Sequence, residues 1–474
     1  MSGLRFSPIA VAAPIALALW LTASSLWGQS SASRAAAIDT AFEAFWSAGD
    51  VAQAQAAVPA IIASGVTFDE AHRRLRAGRT FRRDVPTGVV LLERRGDDEQ
   101  FFYSVDVPAS YDPTRRYQVR VQLHGGVGAG EDNRRRGTGA IGALAGDPQQ
   151  IYVIPTSWLD VTWWNPKQLR NLRAILDTVK RTYNVDENRV VLSGVSDGGT
   201  GAYYAAMRDT TPYASYLPLI GSLMQLAARE FNVGDLYPNN LLNKPFFVVN
   251  TGRDPLYPTR VIDPVVENLR RAGVSIAYHP RPDDEHDVSW WPDIRDDFER
   301  FAREHPREPH PARLTWQSGE GDPFNRAHWL VIDEVAAEVA DPLMPDVNQV
   351  ATPASLRFGV LAAGATVTRV VPSSDAAAFG LRRGDVVLAI DGTGIAGEAD
   401  LERRLAVCCE AGSATTIVVQ RAGQRVHLTG IPSGRSANGD TVPLFARRRP
   451  VGRVDLTRAG NAVRATTSGV HTFT

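Results

Sequence analysis

Between residues 85 and 304 the chain alternates short apolar runs, often β-branched, with stretches whose apolar positions recur every three or four residues. The runs are Val89 to Leu92, Phe101 to Val107, Tyr117 to Leu123, Ile151 to Pro155, Val190 to Leu192, Leu217 to Ile220, Phe246 to Asn250 and Val274 to Tyr278. Helical periodicity follows at Lys167 to Tyr183, Thr200 to Met207, Arg260 to Arg271 and Ile294 to Ala302. Continuous apolar runs alternating with amphipathic helices predict an α/β fold, a mostly parallel sheet with helices on both faces.

The flanks differ. Residues 34–84 carry helical spacing (Phe42, Phe45, Trp46, then Val58, Ile61, Ile62) and no chemistry, a helical lead-in. Residues 305–354 open on a proline-rich charged stretch and read as a linker with short strands at Leu314 to Trp316 and Ala327 to Ile332. Residues 355–432 are short strands with one helix, Glu398 to Glu410, and 433–474 form a β-rich tail. Its last alternating run, Val470 to Phe473, is expected either to pair with the preceding β region or to mark a truncated chain, because an unpaired strand is an aggregation liability.

Met1 to Ser33 has one charged side chain, Arg5, then an apolar run from Ile9 to Leu21 and small polar residues to Ser33, the layout of an export leader. A periplasmic or secreted location is expected. A membrane contact is expected only if the leader is retained, since Ile9 to Gly28 is about long enough to span a bilayer. The 474 residues hold 51 Lys plus Arg against 52 Asp plus Glu, so no basic excess is present to neutralise a phosphate backbone, and nucleic acid is not an expected partner. The two cysteines, Cys408 and Cys409, are adjacent; they cannot readily bridge each other, nor can two thiols build a zinc site. No metal or cofactor is expected.

The chemistry lies in the central region. Gly194-Val195-Ser196-Asp197-Gly198 is a G-x-S-x-G, weak alone but set between the buried run Arg189 to Ser193 and a helix opening on small residues. A serine on such a strand-to-helix turn is an exposed nucleophile candidate. A Walker-type phosphate loop would need Gly-Lys-Ser/Thr, which is absent. The serine needs a base and an oxyanion hole. The run Val119 to Leu123 leads into His124-Gly125-Gly126-Val127, where Gly125 or Gly126 would supply one backbone donor and Asp197 the other. His124 precedes the serine and is expected to orient that loop. The chain order Ser, acid, His selects Asp254, after the run Phe246 to Asn250, and His286, on the loop before the last helix. Asp283, Asp284 and Asp287 read as a solvated acidic loop. Trp158, Trp163, Trp164, Trp290 and Trp291 fall on loops at the same edge, either as an aromatic wall for an acyl group or as loop packing.

From about Phe101 to Ala302 the chain resembles α/β-hydrolases of the esterase D, feruloyl esterase and polyhydroxybutyrate-depolymerase-like group. The resemblance is carried by Tyr103 to Asp112, the Leu123-His124-Gly125-Gly126 loop, Tyr183 to Arg189 and the acid and histidine loops. It implies a Ser196/His286/Asp254 triad working through an acyl-enzyme on an ester or acyl substrate. Glu285 stands where relatives often have a small residue, which leaves the triad intact and the substrate class open. The short stretch between Ile220 and Pro245 leaves no room for a large lid, favouring a bulky acyl donor.

Ser374 to Leu381 followed by Arg382 to Gly392 resembles the run S-P-A-x-x-A-G-L-x-x-G-D-x-I-x-x-I-N-G of PDZ modules in secreted proteases, with Asp375 and Phe379 in place of Pro and Ala. The resemblance implies a small β-rich PDZ-like domain that adds a peptide carboxyl terminus to a sheet edge, its carboxylate held by the Phe358-Gly359-Val360 loop. An exported serine hydrolase cleaving carboxylic esters, with a partner-binding module, is the expected function. The alternatives are a serine peptidase, or an idle hydrolase scaffold acting through the PDZ-like domain.

Overall fold

The computed structural model describes residues 32–128, 138–227, 235–336, 346–351, 354–408, 413–434, 441–445 and 450–474. Most of the expected leader and Cys409 lie outside the described residues. No helix among those described is long and apolar enough to cross a membrane. Two compact units divide at Arg82 and Arg83. The first contains α1 (32–47), α2 (Val51–Ala63) and α3 (Phe68–Ala77), in line with the helical spacing. Side-chain caps start the latter two: Asp50 accepts from Gln53 N and Thr67 from Glu70 N.

The second unit is built on an eight-stranded sheet: β1 (Gly88–Gly96), β2 (Glu99–Val107), β3 (Tyr117–Leu123), β4 (Ile151–Pro155), β5 (Val185–Val195), β6 (Ser215–Leu219), β7 (Phe246–Thr251) and β8 (Ile276–Arg281). Their spatial order is β1-β2-β4-β3-β5-β6-β7-β8. β1 and β2 are antiparallel to their neighbours, and β4, β3, β5, β6, β7 and β8 run parallel. Strand alternation separates two cores. Val190 and Leu192 of β5 face one core with α4 (Pro166–Thr182), α5 (Asp197–Arg208) and Leu269 of α6 (Thr259–Arg271). Val191 faces the other, with Phe298 and Phe301 of α7 (Trp291–Glu304). Burial on both faces is why these strands read as unbroken apolar runs.

Beyond α7 the structure departs from the linear division into linker, module and tail. β9 (Arg313–Gly319), β10 (Arg326–Ala327) and β11 (Leu330–Val335) precede the module. A short strand, β12 (Gln349–Ala351), enters it. The module holds α8 (Ala354–Phe358), β13 (Val360–Ala363), β14 (Thr366–Val370), α9 (Asp375–Ala378), β15 (Val386–Ile390), β16 (Thr393–Gly394), α10 (Glu398–Cys408), β17 (Thr415–Arg421) and β18 (Gln424–Gly430). The chain returns through β19 (Thr441–Pro443), β20 (Val451–Ala459), β21 (Ala462–Ser468) and β22 (Val470–Phe473).

β20 pairs with β9, β22 with β11 and β19 with β12. The stretches expected as linker and tail therefore form one β subdomain around Leu314, Trp316, Leu330, Ile332, Val454 and Leu456, and the module is inserted in it. Trp316, fully buried, packs in a cluster drawn from both stretches. Buried amides tie the subdomain to the hydrolase sheet's helices. Asn240 donates to Met207 O at 2.7 Å and to Gln317 O at 3.0 Å, and accepts Gln317 N at 2.7 Å.

Candidate active site

The turn between β5 and α5 places Ser196 at φ 54°, ψ −118°, a left-handed conformation that a side chain rarely adopts. Crowding explains the flanking glycines. A Cβ on Gly194 would lie 2.1 Å from Gly198 O, and one on Gly198 would lie 2.3 Å from Leu123 O. The strand end, the elbow and the loop after β3 are thus stacked backbone on backbone. Gly125 is pressed against the serine itself: a Cβ there would come within 2.9 Å of Ser196 Cβ.

Two loops converge on Ser196 from the far side. Gly252 N donates to Arg281 O at 2.8 Å and Arg253 N to Asp284 O at 3.0 Å, joining the loop after β7 to the loop after β8. This brings His286 Nδ1 to 2.6 Å from Asp254 Oδ2 and His286 Nε2 to 2.9 Å from Ser196 Oγ. Asp254 is buried, and its second oxygen accepts Leu256 N at 2.7 Å and Tyr257 N at 2.9 Å. A carboxylate with both oxygens engaged is fixed in direction. Its bond to Nδ1–H leaves Nε2 as the acceptor facing the serine hydroxyl, the arrangement in which an imidazole can take the proton of an attacking Oγ.

His124 belongs to the loop. Its Nε2 accepts Ser157 N at 3.0 Å, so Nδ1 carries the proton and donates to Gly125 O at 2.8 Å; Trp163 Nε1 donates to His124 O at 2.8 Å. Gly126 has φ +68°, and Asp197, the first residue of α5, has an N–H with no acceptor inside the helix. Gly125 and Asp197 therefore border the nucleophile, and Gly126 is the next residue along the loop.

Asp284 pairs with Arg281 at 2.6 Å, Asp283 lies 3.5 Å from Arg253, and Asp287 accepts Ser289 N and Oγ. Hydrogen bonds from Ser289 hold the Asp287 carboxyl below its usual range. Of the two readings of the tryptophans, packing holds for four. Trp158, Trp163, Trp290 and Trp291 are 0–2 % exposed and sit in the cores.

Two residues absent from the sequence reading sit beside the triad. Tyr257 lies edge-on to His286 with ring centroids 5.9 Å apart, and its hydroxyl donates to Gln225 Oε1. Burial, with the carboxylates of Asp197 and Asp254 adding, pushes its phenol up to about 12, so it stays a neutral donor. Gln225 Nε2 in turn reaches Asp197 Oδ1 at 3.5 Å. Tyr257 follows Asp254 by three residues, a proximity visible in sequence. Gln225 carried no signal. No group of three or more His, Cys, Asp or Glu suited to a metal occurs among the described residues.

In the PDZ-like module the Phe358-Gly359-Val360 stretch joins α8 to β13. Phe358 and Val360 are buried in the module core, and Gly359 N donates to Ser355 O at 2.9 Å, closing α8. β13 is the terminal strand of its sheet, with its outer edge unpaired among the described residues.

The strand order and the serine on the β5–α5 turn define an α/β-hydrolase fold, here joined to a PDZ domain. Residues 349–429 match the family model described as a PDZ domain. Among solved structures the chain is similar to a thermostable esterase, at 20% identity over 46% of this chain and 63% of that one, with a TM-score of 0.37. It is also similar to Est1E from Butyrivibrio proteoclasticus (16% identity, 46% of this chain and 99% of that one, TM-score 0.35). A third is Thermogutta terrifontis esterase 2 phosphorylated by paraoxon (15% identity, 46% and 94%, TM-score 0.38). No curated protein matches the sequence.

Proposed function

We propose that the protein is an exported serine hydrolase that cleaves carboxylic esters through an acyl-enzyme, its PDZ domain binding peptide carboxyl termini. One observation carries the hydrolase reading: the chain of hydrogen bonds Asp254–His286–Ser196, with the serine on a strained elbow beside Gly125. His286 Nε2 takes the Ser196 proton as Oγ attacks the acyl carbon. Asp254 holds the tautomer and stabilises the imidazolium, and the amides of Gly126 and Asp197 receive the oxyanion. The imidazolium protonates the leaving alcohol. Water then enters, gives its proton to His286 and attacks the acyl-enzyme, and Ser196 recovers its proton as the acid departs.

The PDZ reading places a peptide strand on the open edge of β13. Export rests on the composition of the first 33 residues. A panel of aryl esters of varied acyl length, assayed beside peptide amides, tests the substrate class. Ester turnover abolished by Ser196→Ala supports the reading, and amide turnover without ester turnover would replace it with a peptidase.

A further inference from the structure

We propose that the Asp197 side chain, held by Gln225 and Tyr257, positions the oxyanion loop for the chemistry at Ser196; this rests on the serine-hydrolase reading above. The role adds to that of the Asp197 backbone amide and belongs to the side chain of the residue next to the nucleophile.

The loop His124-Gly125-Gly126-Val127 is fastened at both ends. At the first, His124 donates to Gly125 O and is itself held by Ser157 N and by Trp163 Nε1. At the second, Val127 N donates to Asp197 Oδ2 at 2.9 Å. Between these two points lie only Gly125 and Gly126, the residues expected to offer amides to the oxyanion. Gly126 has no side chain whose packing could restrain it, and a Cβ there would meet nothing within 4 Å. Without the Asp197 carboxylate, the second end of the loop loses this anchor to α5.

The carboxylate is in turn oriented. Its other oxygen faces Gln225 Nε2 at 3.5 Å, and Gln225 Oε1 receives the Tyr257 hydroxyl and lies 3.2 Å from Thr200 Oγ1. Tyr257 donates its backbone N–H to Asp254. A continuous arc therefore runs from the acid of the triad through Tyr257, Gln225 and Asp197 to the oxyanion loop. Oxyanion donors act by being fixed before charge develops, so an arc that fixes their loop contributes to the transition state and not to ground-state binding.

The test compares wild type, Asp197→Ala, Asp197→Asn, Tyr257→Phe and the double variant Asp197→Ala/Tyr257→Phe on a p-nitrophenyl ester. Each is also titrated with a trifluoromethyl ketone that forms a tetrahedral adduct. Asp197→Ala is expected to lower kcat by about 10- to 100-fold, part of the effect of losing one oxyanion donor, with KM changed less than about threefold. Affinity for the ketone should fall by the same factor as kcat/KM. Asp197→Asn keeps an oxygen for Val127 N and should lie at least about fivefold above Asp197→Ala. Tyr257→Phe should lose about 3- to 10-fold in kcat, and the double variant should be no worse than Asp197→Ala alone, because both act through one arc.

A kcat within twofold of wild type in Asp197→Ala, a loss confined to KM, or multiplying losses in the double variant would overturn the proposal. If Asp197→Ala loses its thermal transition, the kcat-to-KM split of Tyr257→Phe decides in its place. Wild type that neither turns over the ester nor is labelled at Ser196 by a fluorophosphonate would overturn the hydrolase reading and this role with it. Labelled wild type with an unaffected Asp197→Ala overturns this role alone.

Discussion

Lys244 provides a test of the fold that does not touch the active site. It lies between the 3-10 turn Pro238–Asn243 and β7, at the sheet edge opposite Asp254, and is 6 % exposed. Burial, with the Arg307 guanidinium adding, pushes its ammonium down from 10.5 to about 7. His328 is nearby and contributes no negative charge: burial first, then Lys244 and Arg307, push its imidazole down to about 3. Because the folded value for Lys244 lies below the unfolded one, the unfolded chain binds more protons between about pH 7 and 10.5, and stability rises with pH across that window.

At about 1.36 kcal/mol per pKa unit the full penalty at pH 7 is at most about 5 kcal/mol, and local relaxation and water penetration reduce it to about 2–4 kcal/mol. Lys244→Met keeps most of the buried stem and removes the charge. It is expected to stabilise the protein by about 2–4 kcal/mol at pH 7 and by little at pH 10.5. Urea unfolding at half-unit steps from pH 7 to 10.5 measures both curves. Parallel curves, or a variant no more stable than wild type at pH 7, would refute the reasoning. Below pH 6.5 the neutral His328 lowers stability in both proteins as pH falls, so the comparison is made above it.

Three further outcomes are expected. Ser196→Ala and His286→Ala should each lower kcat by about 10⁵-fold or more and Asp254→Asn by about 10³- to 10⁴-fold, without adding in combination, as read by steady-state ester hydrolysis. Asn240→Ala strands Gln317 N–H and two carbonyls in a buried seam and should cost about 2–4 kcal/mol in denaturant unfolding; a loss below about 1 kcal/mol would contradict the account of that seam. The amides of Val331, Ala336 and Thr474, bonded between β11 and the chain's last residues, should be protected in hydrogen exchange, and rapid exchange at all three would disprove the pairing.

What the sequence made legible is what is local. The apolar runs of β3 to β7 show because both faces of each strand are buried, and the elbow shows because Gly194 and Gly198 must pack against backbone within a few residues of Ser196. The order of the loops after β5, β7 and β8 then pointed to Ser196, Asp254 and His286 without any coordinates. Contacts over long separations were hidden. β9 and β20 pair across the whole inserted PDZ domain, so their two halves read as a linker and a tail. Gln225 meets Tyr257 and Asp197 only once three loops converge, and nothing in its neighbours announces that. Burial was hidden too: Trp163 sits on a loop and Trp291 opens α7, yet their indoles turn inward to donate to His124 O and Ala145 O. In the PDZ domain, α8, whose end takes the Gly359 N–H, had no visible pattern.

Labelling of the full-length protein by a fluorophosphonate, followed by peptide mapping, tests the central claim most directly. The account predicts one adduct, on Ser196, absent in Ser196→Ala and strongly slowed in His286→Ala, since only a serine deprotonated by His286 attacks phosphorus at a useful rate. Unlabelled wild type, or labelling that survives Ser196→Ala, would contradict it.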